Sequence, residues 1–185
     1  MEWTIPGTVL TGQRDDVERS IRQIEGMFLG GGMIRSQLAS VSGVEAHDIQ
    51  NWVKRGFLPS PVNKRYSCSQ FCRIVIINML RTAMPMEQIC SLLRFVNGAL
   101  DDTSDDLIDD TVLYFMFLRL AARARHIGGR DSWDEAIADI LKDYREPVPG
   151  AKQRIDQVLR IMLTAWIGVQ TIRRAERMLL ELKED

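Results

Sequence analysis

Apolar side chains recur every three or four positions along most of the chain, which is the spacing of one helix face. The predicted helices cover residues 15–28, 33–41, 45–55, 67–80, 85–97, 104–126, 133–144 and 155–183. Outside the loop at 57–67, no segment alternates convincingly like a strand. Residues 1–13 are predicted to be irregular, because Pro6, Gly7 and Gly12 interrupt any pattern. The pattern predicts an all-α fold with one small β-hairpin.

Glycines and a change in the length and hydrophobicity of the helices divide the chain into three parts. The triplet Gly30–Gly32 precedes a run of short helices, and three glycines lose too much backbone entropy to stay helical. After Asp101 the helices become longer and more apolar. The predicted parts are an N-terminal irregular segment and helix (1–32), a module of short helices (33–98) and a C-terminal helical region (99–185).

Charge is distributed unevenly along the chain, although the net charge of the 185 residues is only −1. Residues 33–83 carry seven Lys or Arg against two Asp or Glu, whereas the segments on both sides are acidic. A basic module within an acidic chain indicates a polyanionic partner, and nucleic acid is the first candidate.

The spacing within the basic module is that of a helix-turn-helix. Helix 33–41, a short turn with Gly43 and helix 45–55 follow each other, and the second helix of such a unit enters the major groove of DNA. The loop at 57–67 would form a wing whose basic side chains lie on neighbouring phosphates. Glutamine and asparagine can read adenine edges, whereas Trp52 is expected in the core. The predicted DNA-binding residues are Gln50, Asn51, Lys54, Arg55, Lys64, Arg65 and Tyr66.

This module resembles the winged helix-turn-helix of MerR-type regulators over residues 33–95. The resemblance rests on Ser36–Ala39, Ser42–Val44, Gly56–Pro59, Arg65–Ser67 and Met86–Ile89. It implies a DNA-binding module and a dimer in which a long helix after the module pairs antiparallel with its copy. One departure is that Gln50–Val53 stands where the family has Arg-Tyr-Tyr-Glu, so Lys54 or Arg55 would have to supply the phosphate contact.

The whole chain also resembles a bacterial family known as domain of unknown function 1836. The residues that carry this resemblance are Ile49–Gly56, Lys64–Tyr66, Ile76–Arg81 and Leu100–Asp106. The resemblance supports the same architecture and implies a transcriptional regulator.

Two clusters of potential metal ligands have simpler explanations. Cys68, Cys72 and Cys90 lack a fourth ligand at zinc-site spacing, so we interpret them as core thiols, kept reduced in a cytoplasm. The acidic run Asp101–Asp110 is typical of a helix N-terminus, where the dipole favours carboxylates; a divalent-cation site and an interaction surface are the alternatives. We predict no cofactor and no bound metal. No phosphate-binding loop or nucleophile elbow is present, and we expect no enzymatic activity.

The C-terminal region has more apolar surface than a monomeric helix would need. The stripes Ile155–Val169 and Ile172–Leu182 suit a dimer interface, a small-molecule effector pocket, or both. The longest uncharged stretch, Ile161–Ile172, is too short to span a bilayer, so we expect no membrane partner. The predicted function is a cytoplasmic DNA-binding transcriptional regulator that acts as a homodimer on duplex DNA. The alternative is a helical protein-interaction module that keeps the winged-helix fold without binding DNA.

Overall fold

The computed structural model describes residues 2–98, 100, 104–124 and 130–182. Within these residues the chain is mostly helical, as predicted, with one small two-stranded sheet. The elements in chain order are β1 (Glu2–Thr4), β2 (Thr11–Gln13), α1 (Val17–Gly26), α2 (Arg35–Ser42), α3 (Ala46–Lys54), α4 (Cys68–Leu80), α5 (Met86–Asn97), α6 (Asp110–Arg123), α7 (Arg130–Ile140) and α8 (Ala151–Glu181).

Residues 2–13 form a hairpin, so the prediction that this part of the chain is irregular was wrong. Strands β1 and β2 pair antiparallel, with Trp3 opposite Gly12. Gly7 has a φ of +78°, and a Cβ there would lie 2.2 Å from the carbonyl oxygen of Val75. The absence of a side chain at Gly7 therefore permits both the positive φ of the turn and the close contact with α4.

Helix α4 is the centre of the core, because nearly all of its residues from Phe71 to Leu80 are buried. It packs against α2, α5, α6 and α8. Helix α6 is also largely buried, and the prediction that Val112–Leu118 is buried on more than one side is confirmed for all but Val112. The phenol of Tyr114 donates a 2.6 Å hydrogen bond to the carbonyl of Pro6, which ties α6 to the N-terminal hairpin.

Helix α6 begins later than predicted, at Asp110 instead of Ser104. The side chain of Asp109 accepts a 2.7 Å hydrogen bond from the backbone N–H of Thr111 and so caps the helix. The backbone N–H of Leu107 is bonded to the carbonyl of Val96 at 2.8 Å, which holds the preceding segment against α5. The start is therefore set by a cap and a tertiary contact. Asp101 and Asp102 lie outside the described residues.

A buried ion pair joins the central helices. The Arg73 guanidinium donates to the Asp110 carboxylate (Nη1 to Oδ2, 3.0 Å) and to the carbonyl of Phe57 (Nε to O, 3.1 Å). The Asn97 amide donates to the other Asp110 oxygen at 2.8 Å. The side chains of Arg73 and Asp110 are only 8% and 9% exposed. Burial raises the pKa of the Asp110 carboxyl, and the neighbouring guanidinium opposes this effect.

Removing one member of this pair leaves the other buried and uncompensated. We predict that Arg73→Met lowers the free energy of unfolding by about 3–5 kcal/mol, and that adding Asp110→Leu recovers part of the loss. Urea denaturation of the three proteins measures both effects. The control is Arg119→Met, because its partner Glu18 is 49% exposed and such a pair contributes up to about 1 kcal/mol. Equal losses in Arg73→Met and Arg119→Met would show that the buried pair is not required.

Candidate nucleic-acid interface

Helices α2 and α3 are joined by a three-residue turn, Gly43–Glu45, which lies one residue later than the turn predicted between helices 33–41 and 45–55. Gly43 has a φ of +70°, and its N–H donates to the carbonyl of Ala39 at 2.9 Å. The Ser42 hydroxyl accepts a hydrogen bond from the N–H of Val44 at 3.2 Å. These bonds close α2 and direct the chain into α3, so the two short helices are held in one arrangement.

Helix α3 has one face in the core and one face on the surface. Ile49 is fully buried and Trp52 is 6% exposed, which confirms that Trp52 is a core residue. The guanidinium of Arg81 lies 5.8 Å from the centre of the Trp52 ring. The opposite face is exposed, and because helix neighbours are three or four positions apart, it forms one stripe of polar side chains. This reading stripe consists of His47, Gln50, Asn51 and Lys54.

The segment after α3 contains a minimal hairpin. Val62 and Arg65 exchange two backbone hydrogen bonds, of 3.1 and 2.9 Å. Asn63 and Lys64 between them have φ values of 50° and 61°, as in a two-residue type I′ turn. Tyr66 then exchanges backbone hydrogen bonds of 3.0 and 2.8 Å with Met33. The hairpin predicted at 57–67 is therefore present as the single bridge Val62–Arg65, next to the turn residue Lys64, while the second bridge joins Tyr66 to Met33 before α2.

The side chain of Gln70 fixes this hairpin segment to α4. As predicted, Ser67 and Gln70 form a capping box, with bonds of 3.2 Å from the Gln70 N–H and 2.9 Å from the Ser67 N–H. The Gln70 amide also donates to the carbonyls of Pro59 and Ser60, at 3.1 and 3.0 Å. The same residue thus starts the helix and holds the base of the loop.

Six of the seven predicted interface residues have exposed side chains, namely Gln50, Asn51, Lys54, Arg55, Lys64 and Arg65. Tyr66 is only 4% exposed, so it supports the hairpin from the core side. None of the six is buried beneath the C-terminal helices.

The basic side chains of this surface differ in whether they already contact another group of the protein. Arg55 stacks on the ring of Phe57 at 4.5 Å and pairs with Glu87 at 3.3 Å. Arg65 donates to the carbonyl of Gly32 at 2.8 Å. In the described part of the chain, Lys54 and Lys64 form neither a hydrogen bond nor an ion pair, so their ammonium groups are available to a ligand.

His47 belongs to the same surface and was missed by the sequence analysis. It lies three positions before Gln50 and seven before Lys54, so helical spacing alone could have placed it there. Its imidazole is 71% exposed on the side-chain scale and lies 3.2 Å from the carboxylate of Asp48.

The three cysteines, Cys68, Cys72 and Cys90, are free thiols. Cys72 is fully buried, and a hydrogen bond from its thiol lowers the pKa of Cys68, while burial raises the pKa of Cys72 itself. Burial also raises the pKa of the half-buried Cys90. Across the described ranges, no three His, Cys, Asp or Glu side chains are grouped so as to hold a metal ion.

Among the helices that the structure describes, none combines the length and the hydropathy needed to cross a membrane.

In comparisons with known proteins, no curated protein and no solved structure matches the chain. A family model matches a segment that covers α2, α3, α4, α5 and more than half of α6. Residues 34–117, which include the reading stripe and the hairpin, match the model of the family described as Domain of unknown function (DUF1836).

Proposed function

We propose that this protein is a DNA-binding transcriptional regulator of the MerR-like winged helix-turn-helix type, acting in the cytoplasm as a homodimer. Helix α3 enters the major groove, and the hairpin Val62–Arg65 lies on the adjacent phosphate backbone. The observation that carries the proposal is the reading stripe, which is exposed on the side of α3 opposite to Ile49 and Trp52. We assign the protein no enzymatic role and no cofactor.

The chemistry of the stripe suits duplex DNA. Glutamine and asparagine can each make two hydrogen bonds to an adenine edge, and Lys54 supplies a cation beside them. An α-helix with its side chains is about 10–12 Å across, which is close to the width of the major groove. Lys64 at the hairpin tip carries an unpaired charge of the kind that contacts phosphate.

The competing function is a protein-interaction module that keeps this fold without binding DNA. Coverage of the basic side chains by the C-terminal helices would favour such a module, because no surface would then be left for a duplex. The exposure of Gln50, Lys54 and Lys64 favours DNA.

All three cysteines are free thiols, which suits a reducing cytoplasm.

Dimerisation is supported by an apolar seam on the outer side of α8. Exposed or half-buried residues follow each other at alternating spacings of four and three, which is the a/d pattern of a coiled coil. This outer seam consists of Ile161, Ala165, Gly168, Ile172, Ala175, Leu179 and Leu182. Its large members are well exposed, with Leu179 at 57% and Leu182 at 74%.

The sizes of the seam residues fit a symmetric antiparallel pair. With the two-fold axis between positions 173 and 174, Ile172 faces Ala175 of the other copy. Gly168 then faces Leu179, and Ala165 faces Leu182. Each layer would combine one small and one large side chain, as close packing requires. A Cβ built on Gly168 has no atom within 4 Å, so that position is open to a partner. Such a dimer would present two reading stripes to a palindromic site.

The seam makes a specific prediction about assembly. We expect the wild type to be dimeric and Leu179→Lys to be monomeric at the same concentration, because a charge would be buried between the helices. Leu180→Lys is the matched control, since Leu180 is 59% exposed but lies off the seam. Sedimentation equilibrium distinguishes the species. Dissociation of both variants alike, or of neither, would refute the seam as the interface.

The hairpin makes a prediction about salt dependence. Lys64→Ala should weaken binding to every duplex about equally and lower the slope of log K against log salt by about one, because one phosphate contact is lost. Fluorescence anisotropy over a salt series measures the slope. Lys142→Ala, an exposed lysine after α7, is the control and should leave it unchanged. An unaltered slope in Lys64→Ala would remove the hairpin from the interface.

The reading stripe makes a prediction about specificity. Gln50→Ala and Asn51→Ala should each relax preference at one base position, costing about 1–3 kcal/mol against the preferred base with little loss of nonspecific affinity. Trp52→Ala should instead lower the free energy of unfolding by about 3–5 kcal/mol, because a buried aromatic is truncated. Binding to selected and scrambled duplexes, with thermal melts, tests all three. Full discrimination by folded Gln50 and Asn51 variants would favour the protein-interaction module.

A further inference from the structure

The inward stripe of α8 changes its character part of the way along the helix. From Ile155 to Val169 its members are buried and apolar. The same stripe continues over about three further turns with Arg173, Glu176, Arg177 and Leu180. All four side chains are exposed, so the stripe leaves the core here. The change marks the point at which this side of α8 becomes accessible to a ligand.

A groove of about 590 Å³ opens at this point. One wall is β1 with the turn that follows it, the other is α8 from Trp166 to Leu180, and the floor includes the end of α4. Most apolar residues of the lining are buried, with Trp3 and Trp166 each 8% exposed, whereas Leu180 at the rim is 59% exposed. The accessible lining therefore combines a limited apolar surface with several polar groups, and a volume of this size is usual for small-molecule sites.

The rim of the groove carries more cations than anions. Arg14, Arg173 and Arg177 line it together with Glu2 and Glu176. Arg14 stacks against the Trp3 ring at 4.8 Å. In the described ranges, Arg173 and Arg177 make neither hydrogen bonds nor ion pairs. They are one turn apart on the same side of α8, so both guanidiniums can reach a single anionic group.

The geometry points to a binding site for an amphipathic organic carboxylate. Its apolar body would lie on the tryptophan-lined floor, and its carboxylate would accept hydrogen bonds from Arg173 and Arg177, whose planar forks match that group. An inorganic anion would leave the floor without a partner. If the protein is the proposed regulator, this carboxylate is the chemical class of its effector and the groove is the effector site. Binding of the carboxylate to the groove does not itself require that the protein binds DNA.

Hydrogen bonds also join a residue of the groove to the helix pair α2 and α3. Asn78 lines the groove, and its amide donates 3.0 Å hydrogen bonds both to the carbonyl of Gly7 and to the carbonyl of Ser42, the last residue of α2. Ser42 in turn accepts the bond from Val44 that closes the turn before α3. A ligand in the groove would therefore contact a residue that supports the helix pair.

Octanoate is a suitable probe, because it combines a short apolar chain with one carboxylate. Titration of the full chain without DNA, followed by tryptophan fluorescence and calorimetry, should show saturable binding. The double variant Arg173→Ala, Arg177→Ala should bind about tenfold more weakly or worse. Arg174→Ala is the matched control, since Arg174 is exposed on the same helix but does not line the groove, and should bind within about twofold of wild type. Alanine is a good helix former, and circular dichroism verifies folding.

Two further ligands separate the sources of affinity. Octanol has the same body without charge and should bind more weakly than octanoate, while inorganic phosphate alone should not compete. The proposal is overturned if octanoate shows no saturable binding, if Arg174→Ala weakens it as much as the double variant, or if octanol binds equally well. None of these outcomes bears on DNA binding, so failure here leaves the proposed function to be judged by its own tests.

Discussion

The buried ion pair between Arg73 and Asp110 determines how the parts of this protein are placed relative to one another. It joins α4 to α6 directly, reaches α5 through Asn97, and holds the carbonyl of Phe57, just after α3. A buried pair adds little net stability compared with apolar residues of similar size. Its bonds are directional, however, and they fix the segment between α3 and the hairpin against the centre of the core. Together with the buried face of α3 and the Gln70 bonds, this arrangement positions the basic surface.

The sequence was sufficient for features that depend on local periodicity. The bounds of α3 were predicted to within one residue at each end, and the spacing of Ile49 and Trp52 correctly separated the buried face from Gln50 and Asn51. The capping box at Ser67 was predicted for the same reason, since its two residues are only three positions apart. Local signals of this kind need no knowledge of the rest of the fold.

Features set by distant contacts could not be predicted in this way. Gly7 looked like a helix breaker, but its role is to approach Val75 of α4, 68 positions along the chain. Arg73 lay in an apolar run, and nothing local indicated that Asp110 would be its partner. The late start of α6 follows from the cap at Asp109 and from the hydrogen bond between Leu107 and Val96. Tyr66 was placed on the interface because it follows two basic residues, whereas its pairing with Met33 turns it towards the core.

The outer seam and the groove stripe lie about 120° apart around α8, so one helix can serve a partner copy and a ligand without competition. The central claim, that α3 reads duplex DNA, is tested most directly by selecting bound sequences from a random duplex pool with the wild-type protein. The account predicts enrichment of an inverted repeat whose half-sites are about one helical turn, or a multiple of it, apart. A pool that remains unenriched after repeated rounds, at salt concentrations low enough for binding, would contradict it.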